Sequence, residues 1–264
     1  MSRTRVAVFT MFVGVAACTD SDGPRCGEPG ACGSDYQYVA KNVSIASTPE
    51  QALMDGFDLD GDGTPDNQLG VALASLAPAI NVSAAVSQAV AEQRYIILAH
   101  LIAGDFTDWG RDSTGAGIGL YRGGYPESLD GTPSFDAYES RAGDTLLDAS
   151  IAGGSMTGGP GSLALPFSVG GEIFLLHAHH VHVEAGGLSE AGIGTLRLSG
   201  SVALSAIQEH VLPELRAQVP SGTLLDESMF VSDMDDGVPS MSFALRLGAS
   251  RATFDIKFPD LTAP

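Results

Sequence analysis

The chain has 264 residues, and its 32 Asp and Glu against 13 Lys and Arg give a formal net charge of −19 at pH 7. A surface that binds nucleic acid needs clustered Lys and Arg. Lys41 and Lys257 are the only lysines and the arginines are scattered, so we expect no nucleic acid partner. A hydrophobic content of 44% is enough for one well-buried core or two small ones.

The N-terminus has the pattern of an export signal. Arg3 and Arg5 form a basic start, residues 6–15 form an apolar run, and small residues follow up to Cys18. The apolar run is too short to span a bilayer as a helix. Residues 1–17 are therefore predicted to be a signal peptide.

The end of this signal, Val15-Ala16-Ala17-Cys18, resembles a bacterial lipobox. The resemblance implies that Cys18 is acylated and becomes the first residue of the mature chain. A diacylglyceryl group supplies the two chains that durable membrane attachment needs. The expected location is the cell envelope, at the outer membrane or cell surface, with the membrane as a partner through the lipid. The alternative is an ordinary secretory signal that leaves Cys18 as a free thiol.

Residues 18–35 are rich in Gly, Pro, Asp and Ser, and they are predicted to form a flexible tether. Cys26 and Cys32 lie in this tether. In an oxidising compartment they are predicted to close a small disulfide loop. Residues 36–264 then form a single domain.

Carboxylates recur in segment 58–67 at the alternating spacing of a calcium-binding loop. Ca²⁺ takes oxygen ligands from a chain that turns around it. Gly63 is expected at the sharp turn. The predicted ligands are the side chains of Asp58, Asp60, Asp62 and Asp66 and the backbone carbonyl of Thr64.

This loop resembles the EF-hand and the Asp-rich repeats of thrombospondin type 3 and dockerin modules, over this segment alone. It departs from the EF-hand at Leu69, where a bidentate Glu would close the coordination sphere. One ligand must therefore come from elsewhere in the fold or from water. The resemblance implies a structural ion of extracellular affinity and not a sensor. The alternative is an Asp/Gly turn without metal.

Helical composition follows the loop at 69–77 and 81–93, on either side of Pro78, and returns at 201–219, where Pro213 predicts a kink. Residues 95–103 are predicted to form a strand buried on both faces, with His100 as a core residue.

Glycine pairs separate short strand-like stretches through the middle of the chain, and two alternating stretches near its end predict a closing hairpin turned at Gly248-Ala249-Ser250. This density of strands and turns predicts a mainly β (α+β) fold, an antiparallel sandwich or barrel-like sheet with two helical segments. The expected strands are 117–122, 145–151, 162–169, 172–184, 195–198, 241–247 and 251–258.

Four histidines and a glutamate recur on one predicted strand. Alternation would place His180, His182 and Glu184 on one face and His177 and His179 on the other. Two His and one carboxylate can hold Zn²⁺, Fe²⁺ or Mn²⁺. The set His177, His179 and Glu184 also resembles a cupin first motif, which implies a metal-dependent enzyme of barrel type. The alternative is a polar outer face with exposed histidines.

A second acidic turn at 233–239 echoes residues 60–65. If the two turns meet in space, Asp233 or Asp235 would supply the carboxylate that Leu69 cannot.

The chain has no Gly-x-Ser-x-Gly, His-Glu-x-x-His or Ser-x-x-Lys motif. The sequence therefore predicts a lipid-anchored protein with a structural Ca²⁺ site, a non-enzymatic structural, adhesive or ligand-binding module for a protein or glycan. Its general arrangement is similar to that of myxobacterial lipoproteins, a likeness that implies no activity. The alternative is a cupin-like metal-dependent enzyme that uses the histidine strand.

Overall fold

The computed structural model describes residues 34–103, 106, 108–109, 116–124, 127–129, 132–138, 146–169, 172–220, 225–235 and 237–257. The predicted signal peptide, Cys18, Cys26 and Cys32 lie outside the described residues. The first strand begins at Ser34, so the last two positions of the predicted tether belong to the folded sheet.

The described part of the chain is mainly β, as predicted, and its strands belong to one sheet. They are β1 (Ser34–Ser44), β2 (Ile97–Ala103), β3 (Asp108–Trp109), β4 (Ala116–Gly123), β5 (Glu127–Leu129), β6 (Thr132–Tyr138), β7 (Leu147–Ala152), β8 (Ser155–Val169), β9 (Glu172–Ser189), β10 (Gly192–Ala203), β11 (Met234–Asp235), β12 (Pro239–Arg251) and β13 (Thr253–Lys257).

Eight of these strands close into an antiparallel ring. The order is β4-β2-β1-β12-β10-β9-β8-β7, and β7 pairs back onto β4. Side chains that alternate along each strand point into the ring and form the main core. The barrel-like form of the predicted sheet is therefore the one observed.

A smaller outer layer covers one side of the ring. Strand β13 runs parallel to β6, and β6 pairs with the end of β4. A second apolar cluster that includes Leu98, Tyr121 and Phe254 fills the space between this layer and β2. Strand β2 is buried at all its positions because the ring interior lies on one face and this layer on the other. The prediction for this strand is confirmed.

The helices are α1 (Pro49–Asp55), α2 (Gln68–Ser75), α3 (Val82–Ala91), α4 (Leu204–Ala206) and α5 (Leu212–Gln218), with a π-helical turn, Ile207–Val211, between the last two. The break at Pro78 separates α2 from α3 as expected. Where a kink was predicted, a π turn ends two residues before Pro213, and proline has no N–H to donate to the carbonyl one turn earlier. No helix among the described residues is both long and apolar enough to cross a membrane.

The prediction of a closing hairpin at Gly248-Ala249-Ser250 is wrong. Strand β12 runs straight through Gly248-Ala249-Ser250 and pairs with β1 and β10, while β13 pairs with β6. A Cβ on Gly248 would lie 3.1 Å from the Asn42 side chain and from the backbone oxygen of Gly194. This glycine permits a close approach between three strands and does not make a turn.

Candidate functional site

The acidic loop joins α1 to α2, which both pack against β12. Its base is closed by a backbone hydrogen bond of 2.7 Å from the Asp66 N–H to the Phe57 carbonyl. Within the loop, carboxylate oxygens of Asp58, Asp60 and Asp66 lie within 4.8 Å of one another. The side chain of Asp62 is not part of this group.

Backbone N–H groups inside the loop hold the carboxylates. Asp58 accepts hydrogen bonds from the amides of Gly61, at 2.7 Å, and Gly63, at 3.0 Å. Both glycines have φ above 80°, a conformation that side chains disfavour. Gly63 therefore makes the turn predicted for it. The remaining bonds run from Asp62 N to Asp60, from Thr64 N to Asp62 and from Leu59 N to Asp66.

Asp66 is the electrostatically strained member of the loop. Burial raises the pKa of its carboxyl above the usual value, and the negative charges of Asp60 and Asp233 raise this pKa further, while hydrogen bonds from the loop backbone oppose the rise. A cation bound here would offset the repulsion between the Asp66 carboxylate and its negatively charged neighbours, because its positive charge would attract all of them.

The second acidic turn lies beside the first loop. Asp233 accepts a hydrogen bond of 2.8 Å from the Ser242 N–H and also bonds the Ser242 hydroxyl. That hydroxyl oxygen accepts a 2.8 Å bond from the Gln68 N–H at the start of α2. Asp233 is therefore tied to the end of the loop, but it is not one of the three clustered carboxylates. The side chain of Asp235 lies outside the described residues.

Among the described residues, Asp58, Asp60 and Asp66 form the one group of three side chains spaced to hold a metal ion. The chain matches no family model, no curated protein and no solved structure. The chemistry of the site is therefore argued from its own residues.

The histidine strand does not alternate as predicted, because a β-bulge interrupts β9. His180 has φ of 49°, and the register with β10 shifts between Ser199 and Ser201. His177 and His179 are consequently exposed on the same outer face as Glu184, with Ala178 and Val181 buried inside the ring. The prediction of two opposite faces is wrong.

These histidines and Glu184 have separate neighbours. The His179 Nδ1 lies 3.2 Å from the Ser162 hydroxyl, and the His182 ring stacks 6.1 Å from the Phe57 ring. Glu184 accepts a 2.8 Å hydrogen bond from Arg197. The structure thus does not bring His180, His182 and Glu184, or His177, His179 and Glu184, together as a metal-binding group.

Asn67 is a structural residue of the site that the sequence prediction did not identify. It is 1% exposed, its Oδ1 accepts from the N–H groups of Gly70 and Ala244, and its Nδ2 donates to the Ala52 carbonyl. One side chain thereby joins the loop end to α1, α2 and β12. Its place directly before a helical segment is a recognisable N-cap signal.

A row of charged residues next to the loop was also not predicted. Arg197 on β10 stands opposite Glu184 on β9 and Arg246 on β12. Arg246 pairs at 2.9 Å with Asp55, the last residue of α1. The side chain of Phe57 lies under the guanidinium of Arg197. Cross-strand neighbours of this kind depend on register, which no single segment of sequence contains.

Proposed function

We propose that the protein is a lipid-anchored protein of the cell envelope whose mainly β domain is stabilised by a structural Ca²⁺ ion and acts as a non-enzymatic structural, adhesive or ligand-binding module. The observation that carries the calcium proposal is the cluster of Asp58, Asp60 and Asp66 carboxylates within 4.8 Å of one another.

Ca²⁺ suits this loop because it takes six to eight oxygen ligands. The three clustered carboxylates supply some of them, and the side chain of Asp62 and the carbonyl of Thr64 are the further ligands proposed from the loop. Water, or a movement of Asp233, would complete the shell, because Leu69 offers no oxygen from its side chain.

A bound Ca²⁺ ion would stabilise the folded domain. The loop lies between α1 and α2, and Asn67 connects its end to β12. Fixing the loop therefore fixes the contact of both helices with the ring. We expect a dissociation constant of roughly 0.1 to 1 mM, in the range of extracellular modules.

The test of the calcium site is thermal unfolding in chelator and in increasing Ca²⁺. A Ca²⁺ that binds only the native state adds about 1.4 kcal/mol at ten times its dissociation constant. Asp58→Asn should abolish the rise in Tm, and the matched control Asp148→Asn, an exposed carboxylate on β7, should preserve it. An equal Tm in chelator and in about 10 mM Ca²⁺, which is at least ten times the expected dissociation constant, would reject the site.

The test of the anchor is separate. Mass spectrometry of the mature N-terminus should find a lipid-modified Cys18, and Cys18→Ala should release the protein from the membrane fraction. An unmodified Cys18 in a soluble mature protein would support the ordinary secretory signal.

Elemental analysis of the purified protein tests the non-enzymatic assignment against the transition-metal alternative. Calcium alone supports the proposal. Stoichiometric Zn, Fe or Mn that disappears in His180→Ala or His182→Ala would contradict it.

A further inference from the structure

The outer face of β9, β10 and β12 carries two arginines directly opposite each other. Arg197 is the register partner of Arg246, and Glu184 is the partner of Arg197 on its other side. Like charges facing each other across strands are destabilising unless something compensates them. Such a pair stands out in a chain with 13 basic and 32 acidic residues.

The two acids that compensate this pair differ in how firmly they are held. Asp55 is 3% exposed and is fixed at the end of α1, where it bonds Arg246. The side chain of Glu184 is 50% exposed, and its contact with Arg197 is an ion pair at the surface. Exposed pairs of this kind contribute little, so Glu184 can leave at small cost. The arginines would then face outward with only Asp55 to balance them.

Both guanidinium groups also have unused hydrogen-bonding capacity. Each is engaged by its acid through one terminal nitrogen, Nη2. The Nε atoms of Arg197 and Arg246 have no hydrogen-bond partner but are buried, so a ligand in solvent would bind the terminal nitrogens. A guanidinium has five N–H donors in a planar fork that matches the oxygens of a carboxylate or a phosphate. A second oxyanion is the ligand that such a pair can accept.

The arginines line an open groove of about 410 Å³ on this face. Ser155, Thr157 and Thr195 line the same groove beside Met156. This volume lies in the range of pockets for small ligands. Hydroxyl groups are suited to the uncharged, hydrogen-bonding part of such a ligand.

We propose that this groove binds a small ligand through a carboxylate or phosphate group held between Arg197 and Arg246, and that Glu184 occupies the place of that group in the free protein. The proposal rests on the ligand-binding part of the proposed function and names its ligand class. It does not require the calcium ion or the lipid.

The experiment is calorimetric titration of the folded protein, in low-salt buffer, with inorganic phosphate and separately with glucuronate. The two probes distinguish a phosphate source from a carboxylate source. Each titration is done in Ca²⁺-free buffer, after the chelator used to strip the protein has been removed by dialysis, and is repeated with Asp58→Asn, so that failure of the calcium site leaves the test of the groove intact.

We expect Arg197→Gln to weaken binding about tenfold, because it removes one charge-assisted hydrogen-bonding group. Glu184→Gln should tighten binding several-fold, because the competing carboxylate is gone. Arg246→Gln leaves Asp55 buried without a partner, so the paired variant Asp55→Asn/Arg246→Gln is used in its place and should also bind weakly. The control is Arg216→Gln, whose exposed arginine pairs with Glu227 elsewhere on the surface and should leave affinity unchanged.

Weaker binding in Glu184→Gln than in the wild type would overturn the proposal, as would equal losses in Arg197→Gln and Arg216→Gln. The first result would make Glu184 a ligand-binding group and not a competitor. The second would mean that the probes respond to overall charge. Failure of both probes to bind Glu184→Gln would overturn it as well.

Discussion

The guanidinium carbon of Arg197 lies 4.1 Å from the centroid of the Phe57 ring. Phe57 directly precedes the first carboxylate of the acidic loop, and its carbonyl accepts the hydrogen bond that closes the loop. The loop and the arginine groove are therefore neighbours joined by one cation–π contact.

Replacing Phe57 with Leu should lower stability by about 1 kcal/mol, because a partly exposed cation–π contact contributes about 0.5–1 kcal/mol and some packing is lost as well. The corresponding fall in Tm is about 2–4 °C for a domain of this size. A double-mutant cycle with Arg197→Gln measures the contact itself by chemical unfolding. A coupling energy of zero would mean that the two side chains are adjacent without interacting.

Asn67→Ala should cost about 2–4 kcal/mol, because it leaves the Gly70 and Ala244 N–H groups and the Ala52 carbonyl without their partner. The matched control is Asn81→Ala, since Asn81 also caps a helix but accepts one bond, from Ala84. That control should cost about 1 kcal/mol. Urea unfolding compares the two variants, and equal losses would show that Asn67 is only a helix cap.

Asp66→Asn should stabilise the protein in chelator at pH 7 and remove its response to Ca²⁺. Because the pKa of Asp66 is raised in the folded state, its ionised form is disfavoured there at neutral pH. The native state binds the extra proton between the usual carboxyl pKa and the raised one, so this residue makes the calcium-free protein more stable as pH falls through that window. In Asp66→Asn this gain in stability on lowering the pH should be absent. Thermal melts at several pH values test it, with Asp148→Asn as the control.

His100 should make stability fall on mild acidification. It is 8% exposed, and burial lowers its pKa, although the charge of Asp35 and a hydrogen bond to it oppose the shift. Above the usual histidine pKa neither state is protonated. As pH falls through about 6.5, the unfolded chain takes up a proton that the native state does not, so the free energy of unfolding decreases.

The usual histidine pKa is about 6.5, so this loss of stability falls between about pH 7 and pH 5. The replacement His100→Asn should reduce it. His177→Asn is the control, because His177 is exposed on β9. Urea unfolding at each pH gives the comparison. An unchanged pH dependence in His100→Asn would assign the loss to other groups.

The parts of this molecule that follow from local sequence were predictable. The glycine at position 63 and the carboxylates around it define one loop by their spacing, and the apolar run at 95–103 predicts a strand covered on both faces. Helix α1 was missed although its signals are present: Thr48 caps it and Pro49 occupies its first turn.

The parts that depend on neighbouring strands were not predictable. The bulge at His180 is matched by register shifts on the strands at either side, including one between Gly158 and Gly161. Strand β9 alone gives no sign of it. The pairing of Arg197 with Arg246 likewise joins strands whose register is set by the whole ring.

The closure of the ring has a consequence for how the chain acquires its structure. Strand β1 pairs with β12, and Asn42 accepts a hydrogen bond from Gly248, 206 positions later. Until β12 has been synthesised, β1 and β10 both present open edges to any strand that can add to them. Contacts so distant along the chain form slowly. Folding should therefore finish only after nearly the whole chain is available, and a protein truncated before β12 should aggregate or be degraded.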